Sequence, residues 1–310
     1  MIVCPNADPI GSVGGGLLEG RVMAAAEKTF TTRCASRLSF DMSHTQASEM
    51  GMVCGGKADV LLEYVPPDGG ALQLYEAAYA ALSNGRRCLL STDLGDLEDL
   101  AATLPRCLLT DDGRVLGDAP EQPGWMAEAG TALGRYRSAY MERIEGSRFF
   151  LEPLREPGLL ILFGAGHVGQ QTAIAASKLG FRILVLDDRE AFASQERFPA
   201  SVKTSVISDF STCVQGLSID SDSYLVIVTR GHLHDKKVLA QALGTKAGYI
   251  GMIGSRKKRD GIYQALLKEG FSQEDIDRVH SPIGLSIGAE TPEEIAISIL
   301  AELIQVRSKK

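Results

Sequence analysis

Leu159-Leu160-Ile161-Leu162-Phe163-Gly164-Ala165-Gly166-His167-Val168-Gly169 decides how the second half of this chain folds. Five consecutive apolar residues read as a strand buried on both faces, as in a parallel sheet covered by helices on each side. The spacing G-x-G-x-x-G follows at once and opens a helical stretch that runs to about Leu179. In such a turn each glycine has its own task. Gly164 makes the tight bend, Gly166 lets the backbone approach a diphosphate, and Gly169 lets helix and strand pack closely. Ala165, His167 and Val168 fill the turn and the helix start, where unpaired N–H groups and a partial positive charge favour anions. Alone the motif is weak; between an apolar strand and a helix it predicts a bound nucleotide.

Outward from this turn the pattern repeats. Arg182–Leu186, Lys203–Ile207, Tyr224–Val228 and Tyr249–Ile253 are strand-like, and Lys236–Leu243, Arg256–Glu269 and Pro292–Arg307 have helical spacing. The alternation predicts an α/β fold, a Rossmann-like doubly wound parallel sheet over residues 158–310. Asp187, Asp188 and Arg189 close the second strand. Asp187 stands near the place of a ribose-binding acid, about 20 residues beyond the turn. It would repel a 2′-phosphate, which Arg189 offsets in part, so the site reads as NAD-like before NADP-like. Arg230 and His232 follow the fourth strand and Gly254 and Ser255 the fifth, where ligands bind in such sheets. Ser255 also reads as a helix N-cap, and Thr291 with Glu294 as a capping box with Pro292 at the first helical position. His232, His234 and Asp235 read first as a hydrogen-bonding loop cluster, and second as an acid/base or metal-ligating group.

The first third reads as a separate α+β domain, residues 1–116. Thr32–Asp41, Ala58–Val65, Arg86–Thr92 and Arg106–Thr110 are strand-like, Leu17–Thr29 and Ala71–Leu82 helical, and Asp111-Asp112-Gly113 a hairpin turn. Residues 117–157, rich in Gly, Pro and charge, read as a linker with short helical structure and a solvated arginine face. Two further glycine turns lie in the first domain. Gly14-Gly15-Gly16 runs into Glu19 and a helix, and Met52-Val53 precedes Cys54-Gly55-Gly56. Consecutive glycines are entropically expensive, so a close approach of backbone to ligand is expected there. Cys54 reads equally as a soft ligand or sulfur carrier and as a buried structural thiol.

Composition sets the outer bounds. The chain has 310 residues, 33 of them Gly, and 45% are hydrophobic, a globular make-up long enough for two cores. Lys+Arg 32 against Asp+Glu 39 leaves −7, which argues against nucleic-acid or membrane partners. No apolar run reaches a membrane span, and the amino terminus lacks the pattern of a signal peptide. The six cysteines show no C-x-x-C pairing, so a cytoplasmic protein with mostly structural thiols is expected.

Seven motifs occur in order: GSVGGGLLE (Gly11–Glu19), GMVCGG (Gly51–Gly56), LFGAGHVG (Leu162–Gly169), DDRE (Asp187–Glu190), VTRGHLHD (Val228–Asp235), YIGMIGSRKK (Tyr249–Lys258) and SPIGLSIGAETPEEIAISILAEL (Ser281–Leu303). Together they resemble the xanthine dehydrogenase accessory factor family, XdhC/CoxI, along nearly the whole chain. Family members usually carry a further amino-terminal stretch with a strand and an S-x-P-R-type loop, which this sequence does not show. The resemblance implies a maturation factor that binds the molybdenum cofactor, as molybdopterin or its dinucleotide form. Such a factor assists sulfuration with a cysteine desulfurase and delivers the cofactor to an apo molybdenum hydroxylase such as xanthine or carbon monoxide dehydrogenase. Gly14, Gly15, Gly16, Glu19, Cys54, Gly55 and Gly56 would then face the pterin or molybdenum, with Cys54 handling molybdenum or sulfur. The Rossmann half would hold NAD(P) or another nucleotide. The other readings are an NAD(P)-dependent oxidoreductase and a nucleotide-sensing regulatory module. A homodimer is expected on the general frequency of two-fold assemblies.

Overall fold

A computed structural model describes residues 1–41, 57–67, 69–95, 104–135, 138–155 and 158–308. It divides into two compact units, Met1–Arg155 and Glu156–Lys310. No helix among the described residues is long and apolar enough to cross a membrane.

The first unit opens with α1 (Gly16–Thr32), followed by the antiparallel ribbon β1 (Ser36–Asp41) and β2 (Lys57–Leu62). Helix α2 (Gly69–Ser83) leads to β3 (Cys88–Gly95), β4 (Arg106–Thr110) and β5 (Val115–Gly117). Helix α3 (Trp125–Arg135), β6 (Tyr140–Ile144) and β7 (Ser147–Leu154) complete it. The five later strands form one antiparallel sheet in the order β5-β4-β3-β7-β6. Alternation along β3 sends Cys88 and Leu90 to one face, with Leu74, Ala78 and Ala81 of α2. Leu89 goes to the other, with Trp125, Ala129 and Ala132 of α3. Both helices use the same i, i+4, i+7 spacing to cover their face of the sheet. The expected hairpin at Asp111–Gly113 joins β4 to β5, with Gly113 at φ 82°.

Residues 117–157 correct the reading of a linker: α3, β6 and β7 lie within them. Strand β7 pairs with β3 from Cys88↔Leu154 to Gly95↔Arg148, at the centre of the sheet. Proline and charge in Ser147–Leu154 mislead, because its buried positions alternate cleanly: Phe149, Leu151 and Pro153 point one way.

The second unit starts with β8 (Leu159–Phe163) and α4 (His167–Ala176), extended by a single 3-10 turn, Ser177–Leu179. Then come β9 (Arg182–Asp187), β10 (Val202–Val206), β11 (Ser223–Ile227), α5 (His232–Leu243) and β12 (Tyr249–Met252). It ends with α6 (Arg256–Lys268), the short α7 (Gln273–Asp277), β13 (Val279–His280) and α8 (Pro292–Ser308). All six strands are parallel, in the order β10-β9-β8-β11-β12-β13. This is the 3-2-1-4-5-6 order of dinucleotide-binding sheets, with the reversal between β8 and β11. On β8, Leu160 and Leu162 pack with Ala173 of α4 and Ile299 and Leu303 of α8. Ile161 and Phe163 pack with Val238 and Leu239 of α5 and Ile262 and Leu266 of α6 on the opposite face. The apolar run Leu159–Phe163 is therefore needed in full, since no position of β8 beyond the first sees solvent.

Candidate functional site

The turn after β8 separates the three glycines by what surrounds them. A Cβ on Gly164 would stand 2.4 Å from the Val228 carbonyl oxygen, and the residue has φ 113°. A Cβ on Gly169 would stand 2.0 Å from the Gly164 carbonyl oxygen. A Cβ on Gly166 would meet nothing within 4 Å. Two glycines are therefore demanded by the protein's own packing, and the middle one opens onto free space at the N-cap of α4. No side chain caps that helix start, so its first N–H groups face outward as donors. Outward-facing N–H groups at a helix start are suited to a phosphate-bearing group.

The acids behind the turn are placed differently from the expectation. Asp187 is 1% exposed and its carboxylate is fully engaged. Oδ2 accepts from the Ala165 N–H at 2.7 Å and from Arg189 Nη2 at 2.9 Å. Oδ1 accepts from Arg189 Nε at 2.8 Å and the Arg189 N–H at 3.0 Å. Burial pushes this carboxyl up, but the Arg189 and Ala165 hydrogen bonds outweigh it and hold it below the ordinary carboxylate value. Asp187 thus fastens the glycine turn to the end of β9. Arg189 is bound as a fork on Asp187 and lies on the Phe192 ring, 3.5 Å from its centroid. Arg197 braces the same turn, donating to the Ala165 carbonyl at 2.8 Å and to Gln170 Oε1 at 2.9 Å. Nothing in the DDRE motif signals Arg197, which lies in a 3-10 turn further along the chain.

Asp188 points elsewhere. Its Oδ2 accepts from Arg230 Nη2 at 2.6 Å, joining the segment after β9 to the segment after β11. His232 and His234 lie within the first turn of α5 rather than in a loop, because the helix begins four residues before the expected start. His234 packs on the Phe210 ring with centroids 5.2 Å apart. Among the described residues, no group of three or more His, Cys, Asp or Glu is gathered as for a metal ion.

Asp235 is fully buried and holds the adjoining loop. Its Oδ1 accepts from the Thr229 N–H at 3.2 Å and the Thr229 hydroxyl at 2.5 Å, while Oδ2 pairs with Lys258 Nζ. Burial pushes the Asp235 carboxyl up, and the bonds from Lys258 and Thr229 only partly oppose it. Ser255 caps α6 as expected, accepting from the Lys258 N–H at 3.3 Å. Gly254, at φ 157°, leaves the space that the Lys258 stem crosses; a Cβ there would lie 3.0 Å from Lys258 Cδ. The basic end of YIGMIGSRKK therefore serves an internal ion pair. Lys258→Met should lower the stability of this unit by about 2 kcal/mol in a urea titration, because Asp235 keeps its burial and loses its counter-ion. Adding Asp235→Asn to that variant should recover part of the loss.

The last motif is also built into the fold. Glu302 on α8 accepts from the Tyr249 hydroxyl at 2.5 Å and the Gly284 N–H at 2.8 Å, and lies 3.1 Å from His280 Nδ1. Thr291 and Glu294 form the expected capping box: the Glu294 N–H donates to Thr291 Oγ1 and the Thr291 N–H to Glu294 Oε2.

In the first unit, Gly14, Gly15 and Gly16 have φ of 122°, 74° and 60°. Cβ positions at Gly15 and Gly16 face open space, and α1 starts without a side-chain cap. Ser12 donates to Glu19 Oε2 at 2.6 Å and accepts from the Gly14 N–H, and its bond holds the Glu19 carboxyl below the ordinary value. Cys54, Gly55 and Gly56 lie outside the described residues. Of the other cysteines, Cys88, Cys107 and Cys213 are buried, and burial pushes their thiols up to about 11, 12 and 11. Cys4 and Cys34 are exposed, so three of the five described cysteines are buried, where mostly buried thiols are expected.

Residues 160–303 match the family model of the XdhC Rossmann domain. The uncharacterized protein YqeB of Escherichia coli (strain K12) is 38% identical over 149 residues, 48% of this chain and 27% of that protein. The molybdenum cofactor insertion chaperone PaoD of the same organism is 26% identical over 148 residues, 48% of this chain and 40% of that protein. This chain spans less than half the length of the curated relatives it matches. Among solved structures, a xanthine dehydrogenase from Bacillus halodurans superimposes with a TM-score of 0.77 at 28% identity, covering 97% of this chain and 84% of that one. With its parallel sheet and glycine turn, the second unit is an XdhC Rossmann domain over residues 160–303.

Proposed function

We propose that this protein is a maturation factor for a molybdenum hydroxylase such as xanthine or carbon monoxide dehydrogenase. It binds the molybdenum cofactor, as molybdopterin or its dinucleotide form, assists its sulfuration and delivers it to the apo-enzyme. The observation that carries this reading is the open approach at Gly166 in a domain of the XdhC family. It is supported by the name of PaoD, a molybdenum cofactor insertion chaperone similar over 148 residues. The Gly164–Gly169 turn would hold the phosphate-bearing part of the ligand on the N–H groups of α4. Gly14, Gly15, Gly16 and Glu19 would form a second cradle, for the pterin end, at the start of α1. Cys54 with Gly55 and Gly56 would handle molybdenum or sulfur, together with a cysteine desulfurase. The working form would be a cytoplasmic homodimer.

The 3-2-1-4-5-6 strand order favours a second ligand class for the Rossmann half, NAD(P) or another nucleotide bound for regulation or hydride transfer. Mass spectrometry of the gently purified chain separates the two. A pterin–molybdenum species that disappears in Gly166→Val supports the maturation factor. Retention of a nicotinamide dinucleotide alone would overturn it in favour of the second class. A Cys54→Ala variant that matures its hydroxylase normally would remove Cys54 from the mechanism.

A further inference from the structure

Three arginines flank the glycine turn, and two are committed to holding it. Arg189 is forked on Asp187, and Arg197 is bound to the Ala165 and Phe192 carbonyls and to Gln170. Arg230 differs: its side chain is 46% exposed and it meets Asp188 at 2.6 Å. Strands β9 and β11 are the two neighbours of β8. Gly164 lies between them, its N–H donating to the Leu186 carbonyl on one side, and on the other an added Cβ would meet the Val228 carbonyl and Thr229 Cα within 3.0 Å. The Asp188–Arg230 pair therefore bridges the width of β8 just beyond its carboxyl end, where the ligand crevice of such a sheet opens. The pair is also incompletely satisfied. Asp188 Oδ1 is buried without a hydrogen bond among the described residues, and Arg189 Nε is 3.9 Å away. A buried carboxylate oxygen left in this way makes the closed arrangement weaker than its short contact suggests.

We infer that Asp188 is an internal counter-ion that occupies Arg230 until a diphosphate-bearing ligand replaces it. The carboxylate stands in for the ligand's anionic oxygens. When the ligand enters at Gly166, Arg230 leaves Asp188 and donates to phosphate, and the bridge across β8 opens. Asp188 stays in place when Arg230 turns to phosphate, with Arg189 Nε 3.9 Å away as its remaining cationic neighbour, so ligand and Asp188 compete for one guanidinium and the competition lowers affinity. The inference rests on the reading of the glycine turn as a phosphate site and specifies how that site is kept closed.

Calorimetric titration of the full chain with ADP tests it, using wild type, Asp188→Asn, Arg230→Gln and the double variant. Removing the competing anion should tighten ADP binding roughly fivefold in Asp188→Asn. Arg230→Gln should weaken it about tenfold. The double variant should match Arg230→Gln, because Asp188 acts only through Arg230. Inorganic pyrophosphate should show the same gain in Asp188→Asn, since the exchange concerns phosphate charge and not the ribose. Unchanged or weaker ADP binding by Asp188→Asn, with wild type binding normally, overturns the counter-ion and leaves the phosphate site standing. Binding of neither probe by any of the four proteins overturns the phosphate site and the counter-ion together. Thermal melts without ligand check that each variant is folded.

Discussion

Gly169→Ala is expected to lower the stability of the second unit by about 3 kcal/mol or more, whether or not a ligand is present. The added methyl would lie 2.0 Å from the Gly164 carbonyl oxygen, a backbone atom that cannot rotate away. Relief requires moving α4 off β8, which opens the core that Ala173 and Ala176 share with Leu160 and Leu162. Gly166→Ala is the control three residues earlier. Its methyl meets nothing within 4 Å and its φ is −65°, so the fold should hold within about 0.5 kcal/mol. If the turn holds phosphate, that variant loses binding while keeping its melting profile. Urea titration of the two variants, each with and without ADP, reads both effects. Equal destabilisation by the two substitutions would contradict the division of tasks within the motif.

Asp187→Ala is expected to cost about 3–5 kcal/mol in the same titration. The carboxylate accepts four hydrogen bonds, and its removal strands the Ala165 N–H and the partly buried Arg189 guanidinium. A ribose-reading acid on the surface of a crevice would behave otherwise, losing affinity but little stability. The pH dependence follows from the direction of the shift. The Asp187 carboxyl is held below its ordinary value in the folded chain. Its contribution is therefore complete above the unfolded pKa, about 3.9, and is lost as pH falls through the lower folded value. The stability gap between wild type and Asp187→Ala should accordingly narrow as pH falls below the unfolded value and through the folded one. A gap that stays constant over that range would show that the loss comes from packing rather than from the charge.

Much of the second unit is legible from residue order, and the reasons are physical. Leu159–Phe163 coincides with β8 because a strand buried on both faces has no polar position to blur its ends. Gly164, Gly166 and Gly169 fall into their separate tasks because each is imposed by sterics within one turn. The start of α5 is misread because His232-Leu233-His234-Asp235 looks like a polar loop, yet Asp235 is fully buried against Thr229 and Lys258. That partner lies 23 residues further along the chain, beyond the reach of local pattern. The role of Asp187 is hidden for the opposite reason. A D-x-R pair looks solvated in sequence, and only the return of Ala165 to the end of β9 encloses it. In the first unit, the β6–β7 hairpin carries a signal that was available. Glu145 and Gly146 both have positive φ and sit between Ile144 and Ser147, which pair directly. A two-residue loop ending in Gly between alternating segments is the pattern of a tight hairpin.

Trp125 is 2% exposed in the core beneath α3, and its indole N–H donates to Ser91 Oγ at 2.9 Å. It is the single tryptophan of the chain. Intrinsic indole emission is thus a private optical label of the first unit, silent about the second. The backbone circular dichroism signal, by contrast, sums over both units. Recording the two side by side on one sample assigns any unfolding step, or any shift caused by a ligand, to one half of the molecule without cutting the chain or attaching a dye.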